Sequence, residues 1–294
     1  MSPENSSYQP IFFDAEWTLY KYYGWKLVEQ TSTYQLLQQQ MGPFKKWLVL
    51  GASDNPETAG LLWQKHKSPF SMMIWKPKSE QSLLPKGFQI CEDSQRLLNT
   101  KTIVIDLKKS IDEIDSEMGS KTRNVIKSAQ QKGLEFSWST QTFANDLELF
   151  FNLYSNLAKK FSLQIPNKDL LTQMFSAGHL RLARVFLNPK QVHSMALIYL
   201  TKTQGYYLYG ASSEDAINGS GQLLQLKVIE WLKSQNFNWY DLGGVPNFDP
   251  NNGIFRFKKS LGGNLIDLGE EYFQCSSLYL WAQKAKRLIE RLKS

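Results

Sequence analysis

Cysteine is nearly missing from this sequence: Cys91 and Cys275 are the two in 294 residues, far apart and without a Cys-x-x-Cys spacing. That excludes a disulfide framework and a cysteine-ligated zinc site, and a reducing cytosol is the compartment expected. Histidine is scarce as well. His66, His179 and His193 show no metal-ligand spacing, so no metal centre is expected. No hydrophobic run approaches the roughly 20 residues of a membrane span. Residues 1–7 have neither the basic nor the apolar region of a secretory leader, which again reads as cytoplasmic. Acid is in deficit: 27 Asp and Glu stand against 34 Lys and Arg, for a formal net charge of +7 and a pI near 9.1. That balance points to an anionic partner such as phosphate, nucleic acid or an anionic lipid headgroup.

What is present is the composition of a folded protein, 42% apolar with 13% aromatic. Disorder is expected in the first ten residues or so and nowhere else. The length suits one large domain or two small ones, with two favoured. Residues 11–100 carry strand-like runs at 47–50 and 72–75, a helical pattern at 59–66 and a Trp/Tyr-rich start, without a legible topology.

From Thr102 onward the pattern sharpens. Thr102-Ile-Val-Ile-Asp-Leu107 reads as a β-branched strand, and Ser110 with Glu113 forms a capping box that starts a helix. Ser120 opens a second helix that Gly133 ends. It carries Lys121, Arg123, Lys127 and Lys132 and no acid. Arg123 with Lys127 one turn on is the candidate phosphate grip, the alternative being a solvated charged face. After a strand (134–138) and helices (142–160, 168–177), three runs (180–187, 192–200, 206–209) separated by short turns predict an antiparallel meander. A helix (222–233), a strand (237–242), a short helix from about Gly253 to Gly262-Gly263, a strand (265–273) and a basic helix (278–293) complete the chain.

The short helix draws the first candidate. Ile254, Phe257 and Leu261 make one apolar stripe, Lys258 falls inside it, and Arg256 and Lys259 fall opposite. A lysine among core-facing residues is costly unless it snorkels, pairs or meets an anionic ligand. Lys258 is therefore the catalytic candidate and is expected to face a cleft; the alternative lays its stem over the core with the ammonium in water. Tyr207 and Tyr209, two residues apart on one strand, are expected to share a face and line that cleft, with core packing as the alternative. Asp241, at a strand end, would orient an amine or cap the Gly243-Gly244 turn. Arg256 completes the substrate-binding set.

The order from the meander onward resembles the acyl-CoA N-acetyltransferase (GNAT) fold, an α+β mixed sheet flanked by helices. There the helix after the meander offers its N-terminal amides to a ligand pyrophosphate. The positions of its signature read Ala216-Ile-Asn-Gly219-Ser-Gly221 here, with the glycines kept and the usual Gln or Arg replaced by Ala216. Gly219 and Gly221 are thus the candidate backbone cradle for a donor phosphate.

Five segments in order resemble FemABX-type peptidyltransferases: Thr102-Ile-Val-Ile-Asp-Leu107, Lys121-Thr-Arg-Asn-Val-Ile-Lys-Ser-Ala129, Tyr206-Tyr-Leu-Tyr-Gly-Ala-Ser212, Trp239-Tyr-Asp-Leu-Gly-Gly244 and Phe257-Lys-Lys-Ser-Leu-Gly-Gly263. The resemblance covers roughly residues 100–275. It implies a reduced GNAT-like first unit (1–100), a GNAT-like transferase domain (101–275) and a basic C-terminal helix (276–294). It further implies transfer of an amino acid from aminoacyl-tRNA to an amine of a lipid-linked or UDP-linked peptidoglycan precursor, or a similar peptide acceptor. Lys258 would be the cation beside the reacting carbonyl, and the tyrosines would face the precursor. Such a reaction needs no metal or cofactor; peripheral contact with an anionic membrane surface would accompany it. The competing expectations are a GNAT-type acyltransferase using coenzyme A thioesters and a non-catalytic binding protein of the same fold.

Overall fold

The computed structural model describes residues 8–14, 17–53, 55–78, 81, 83–92, 96–140, 143–161, 163–245, 248–282, 284 and 285. In chain order the elements are α1 (Leu19–Tyr22), β1 (Lys26–Gln30), β2 (Tyr34–Met41), β3 (Phe44–Gly51), α2 (Glu57–His66), β4 (Ser71–Lys76), β5 (Gln89–Ile90) and β6 (Lys101–Asp106). They continue with α3 (Ile111–Glu117), α4 (Ser120–Gln131), β7 (Glu135–Trp138), α5 (Phe143–Phe161), α6 (Lys168–Ser176), β8 (Leu180–Asn188), β9 (Gln191–Leu200) and β10 (Gln204–Ser212). The last are α7 (Ser220–Ser234), β11 (Trp239–Gly244), α8 (Gly253–Ser260), β12 (Asn264–Asp267) and β13 (Tyr272–Cys275). The backbone is helical again at 277–282; the rest of the expected basic helix, 286–293, lies outside the described residues. The chain forms two compact units, one of residues 9–100 with 267–294, the other of residues 1–8 with 101–266.

In the first of these a six-stranded sheet runs in the order β1-β2-β3-β4-β13-β5. β3 and β4 are parallel, and α2 crosses between them with Ala59, Leu62 and Trp63 buried on Trp47, Met73 and Trp75. The strand-like runs and the helix expected in residues 11–100 lie inside β3, β4 and α2. The β1–β2 hairpin escaped the sequence reading because β1 is an exposed edge strand with no alternation of burial. The unit closes through β13, which pairs antiparallel with β4. Lys76 fixes this junction from within the core: fully buried, it donates from Nζ to the Gly269 carbonyl at 2.6 Å. Burial pulls its pKa down to about 8, against the opposing pull of Glu271. One expected element is corrected here. Residues 265–273 are not a single strand: the run breaks after Asp267 at Gly269 (φ 76°), and its two halves join different sheets.

The second unit holds a seven-stranded sheet in the order β12-β6-β11-β10-β9-β8-β7. The expected meander is β8-β9-β10, antiparallel throughout. The capping box is present: the Ser110 side chain accepts from Glu113 N and the Glu113 carboxylate accepts from Ser110 N. Ile126 and Ala129 of α4 and Leu223, Val228, Ile229 and Leu232 of α7 pack with Ala196, Ile198 and Leu200 of β9 in one core. The other face of the sheet is covered by α5, whose Tyr154 meets Tyr209 of β10 edge to face. The first ten residues are not uniformly loose as expected, since Tyr8 is half-buried against this unit, its ring 5.8 Å from that of Trp239.

Candidate active site

β10 and β11 are parallel where residues 204–206 lie beside 239–241, and their ladder ends there although both strands continue. Both lose register at this point. β10 shifts against β9 between Tyr207 and Tyr209, and β11 shifts against β6 between Asp241 and Gly244. Extra residues of this kind bend a strand and re-aim its side chains. Gly243 (φ 76°) then passes so close to β10 that a Cβ would lie 2.6 Å from the Tyr207 carbonyl oxygen. Glycine alone meets both demands.

Lys258 is delivered to this place by α8. Asn252 caps the helix, its side chain accepting from Phe255 N at 3.0 Å, and the following Gly262 and Gly263 take positive φ. The buried side of α8 is not the expected stripe: Ile254 is 47% exposed, while Phe255, Lys258 and Leu261 are buried. The helix is turned by most of one residue step, which puts Lys258 at the middle of the buried arc. Its Nζ donates to the Gly244 carbonyl at 2.9 Å and stands 5.6 Å from the centre of the Tyr207 ring. Burial lowers its pKa to about 8, and the nearby Asp241 charge opposes that fall. The ammonium is thus in the protein interior and not in bulk water. Two hollows open elsewhere on the surface. One hollow is lined by Ser139, Phe175 and Arg181, another by Phe12, Tyr34 and Lys78.

Asp241 is buried and saturated with donors. It accepts from Tyr8 Oη at 2.6 Å, from Thr102 Oγ1 at 2.5 Å and from Gly243 N at 2.8 Å. Burial raises its pKa, and the hydrogen bonds from Thr102, Tyr8 and Gly243, with the Lys258 charge, work against that rise. The turn-capping alternative is therefore present in the structure. Sequence reasoning missed Tyr8, Thr102 and Gln225. No periodic signal marks the first two, because their importance comes from a strand and a terminal segment meeting far from each other in sequence.

The tyrosine pair is separated by the bulge. Tyr207 lies opposite Ile198 and Tyr209 opposite Leu197, consecutive residues of β9, so the two side chains leave opposite faces of the sheet. This corrects the shared face expected from their spacing. Tyr207 turns toward α7, where Gln225 meets its hydroxyl and also accepts from Tyr240 Oη at 2.6 Å. Burial pushes the Tyr207 pKa up to about 12. Tyr209 turns toward Tyr154 of α5.

The remaining candidates are placed as follows. The Arg123 guanidinium binds the carbonyls of Asp115, Ser116 and Met118, closing the C-terminal end of α3, with the Asp115 carboxylate 4.0 Å away. Arg256 is exposed on the outer side of α8. Gly219 (φ 93°) caps α7, and a Cβ there would lie 2.3 Å from the Val125 carbonyl of α4. Gly221 sits in the first turn of α7, where a Cβ would be 3.6 Å from the Phe257 ring, an ordinary contact. We expect Gly219→Ala to destabilise the protein by about 3 kcal/mol, from a left-handed backbone and a clash with a fixed carbonyl together. Gly221→Ala should shift a denaturation midpoint little. Among the described residues no group of three His, Cys, Asp or Glu could hold a metal ion, and no helix is long and apolar enough to cross a membrane.

The family profile described as an acetyltransferase (GNAT) domain matches residues 120–259, which include α7, β11 and most of α8. The UDP-N-acetylmuramoylpentapeptide-lysine N(6)-alanyltransferase of Weissella viridescens is 24% identical over 143 residues, 47% of this chain and 41% of that protein. The lipid II:glycine glycyltransferase of Staphylococcus haemolyticus (strain JCSC1435) is 24% identical over 204 residues, 67% of this chain and 42% of that protein. The matched stretches thus span about two fifths of the length of these relatives. A crystal structure of FemX superposes with a TM-score of 0.68 at 16% identity, covering 90% of this chain and 92% of the other. The resemblance carried by the motifs is borne out, as is the α+β class with GNAT-like mixed sheets. Residues 120–259 thus resemble a GNAT domain, and the chain is similar in sequence to an alanyltransferase and a glycyltransferase and in fold to FemX.

Proposed function

We propose that the chain is an aminoacyltransferase that moves an amino acid from aminoacyl-tRNA to an amine of a peptidoglycan precursor, lipid-linked or UDP-linked, working as a peripheral protein at an anionic membrane surface. The observation that carries this reading is the desolvated ammonium of Lys258, held against the Gly243-Gly244 backbone where the β10–β11 ladder ends. An amine attacking an ester carbonyl forms a C–N bond and leaves negative charge on the carbonyl oxygen. Collapse breaks the C–O bond, and the amine's proton balances the released ribose hydroxyl. One N–H of Lys258 is engaged by Gly244; an ammonium has two more to offer such an oxyanion. In a dry site each is worth more than in water. Asp241, fixed by its donors, opposes the loss of charge from Lys258.

The test is amide formation by the purified protein from a pool of charged tRNAs and either precursor. Product with charged tRNA and none with acyl-CoA supports the reading. Acyl transfer from coenzyme A thioesters favours the second reading, which the GNAT profile and the Gly219 cap of α7 support and Ala216 in the signature opposes. Binding without turnover of either donor leaves the non-catalytic alternative. The rate should also fall as pH rises through about 8, because Lys258 loses there the proton that stabilises the oxyanion. A Lys258→Arg variant that retains activity should lose this limb.

A further inference from the structure

The unit of residues 9–100 and 267–294 carries an apolar surface that its own core does not cover. At 277–282 the backbone is helical, and Tyr279 alone of its large side chains turns inward, its ring 5.7 Å from that of Phe44. Leu278 is 48% exposed, Leu280 43% and Trp281 69%. The same Phe44 pairs across the β2–β3 hairpin with Met41, which is 46% exposed. Phe44 also meets Phe70 edge to face at 5.7 Å. Three large exposed apolar side chains on one short helical stretch, with a fourth paired to the Phe44 that this stretch touches, are not the scattered exposure usual on a soluble surface.

Charge decides what could cover this patch. Lys46 lies two residues after Phe44 on the same face of β3, Lys67 precedes Phe70 by three residues, and Lys284 is exposed one turn after Leu280 and Trp281. In sequence the chain continues with Lys286, Arg287, Arg291 and Lys293 against the single acid Glu290. Exposed tryptophan and leucine rimmed by lysine is the chemistry of a bilayer interface: the indole sits at headgroup depth, the aliphatic groups enter the acyl boundary, and the cations meet lipid phosphate. A second copy of the chain would bring the same cations against each other.

We propose that this patch, Met41 with Leu278, Leu280 and Trp281 and their flanking lysines, docks the protein on an anionic bilayer surface. The proposal gives the membrane part of the functional reading its residues, and it is independent of the transfer chemistry. Each lysine near a strongly anionic surface favours partitioning by about five-fold, and each inserted side chain adds to it.

Co-sedimentation of the full chain with vesicles of phosphatidylcholine, alone or with phosphatidylglycerol, tests this. Binding should appear with phosphatidylglycerol, weaken steeply with salt, and fall at least ten-fold in a Leu278→Ser/Leu280→Ser/Trp281→Ser variant. A Leu61→Ser variant, altering an exposed leucine of α2 outside the patch, should bind as the parent does. Thermal melting of both variants separates lost docking from lost folding. If the folded triple variant binds as well as the parent, or the parent binds neither vesicle, the proposal is overturned. It is also overturned if the parent is a dimer that the triple variant disperses, because the patch then belongs to a second copy. Amide formation on a water-soluble acceptor, measured in parallel, should be the same in parent and triple variant. Loss of vesicle binding with retained turnover therefore supports the docking surface, and turnover absent from both proteins counts against the functional reading alone.

Discussion

Replacing Lys258 with Met should lower amide formation by about 10²–10³-fold, the size of effect seen when one oxyanion donor is removed from a preorganised site. The fold should survive the change. Lys258 is buried with its ammonium donating to the Gly244 carbonyl, and methionine fills a similar volume without a charge to desolvate. The pH dependence of stability provides a second readout. The folded-state pKa of Lys258 is about 8 against an ordinary value of 10.5. Between those values the unfolded chain holds a proton that the folded chain has released, so stability rises with pH across that window. The whole rise from this residue is on the order of 3 kcal/mol. Denaturation curves of Lys258→Met from pH 7 to 10 should therefore lose part of the parent's increase. Undiminished turnover in the Met variant would falsify the assignment of Lys258 as the catalytic cation.

Replacing Asp241 with Ala should cost about 3–5 kcal/mol of stability, because a buried charged partner is removed and its donors are stranded. Tyr8 and Gly243 N lose an acceptor, and the Lys258 ammonium loses the anion that opposes its desolvation; Thr102 keeps the Gly243 carbonyl. Asp241→Asn is the informative partner experiment. The amide keeps an acceptor for Thr102 and Gly243 N and should cost about 1–2 kcal/mol, the scale of one weakened buried hydrogen bond. With the negative charge gone, the Lys258 pKa must fall below its present value. The high-pH limb of the rate profile should move to lower pH, with the rate at neutral pH reduced. A limb unmoved in Asp241→Asn would show that Asp241 acts on the turn alone and not on the lysine.

Local pattern was enough for many elements. β-branched runs became β6 and the meander, the Ser110–Glu113 box started α3, and Asn252 with Gly262-Gly263 bounded α8. These signals are carried by neighbours within a turn of helix or a few strand residues, so a sequence read alone contains them. The site was legible only in part. Lys258 stood out because a charge inside an apolar stripe is anomalous in any fold. Which arc of α8 is buried was not decidable, however: residues 254 and 255 lie one step apart on the helix, and packing selected Phe255 over Ile254. Arg123 looked like a free phosphate ligand because the carbonyls it closes belong to the neighbouring helix.

The sequence by itself determined the order of the elements in the second unit, their caps, and the identity of one lysine that could not rest comfortably in a core. The tertiary structure decided the environment of that lysine. A one-residue bulge sent Tyr207 and Tyr209 to opposite faces, Gly243 brought β11 against the Tyr207 carbonyl, and Tyr8 and Thr102 converged on Asp241 from 233 and 139 residues away. The physical reason is the range of the forces involved. Dihedral preference, capping and hydrophobic period act over a few residues, whereas desolvation and charge pairing depend on what distant segments bring within hydrogen-bond reach.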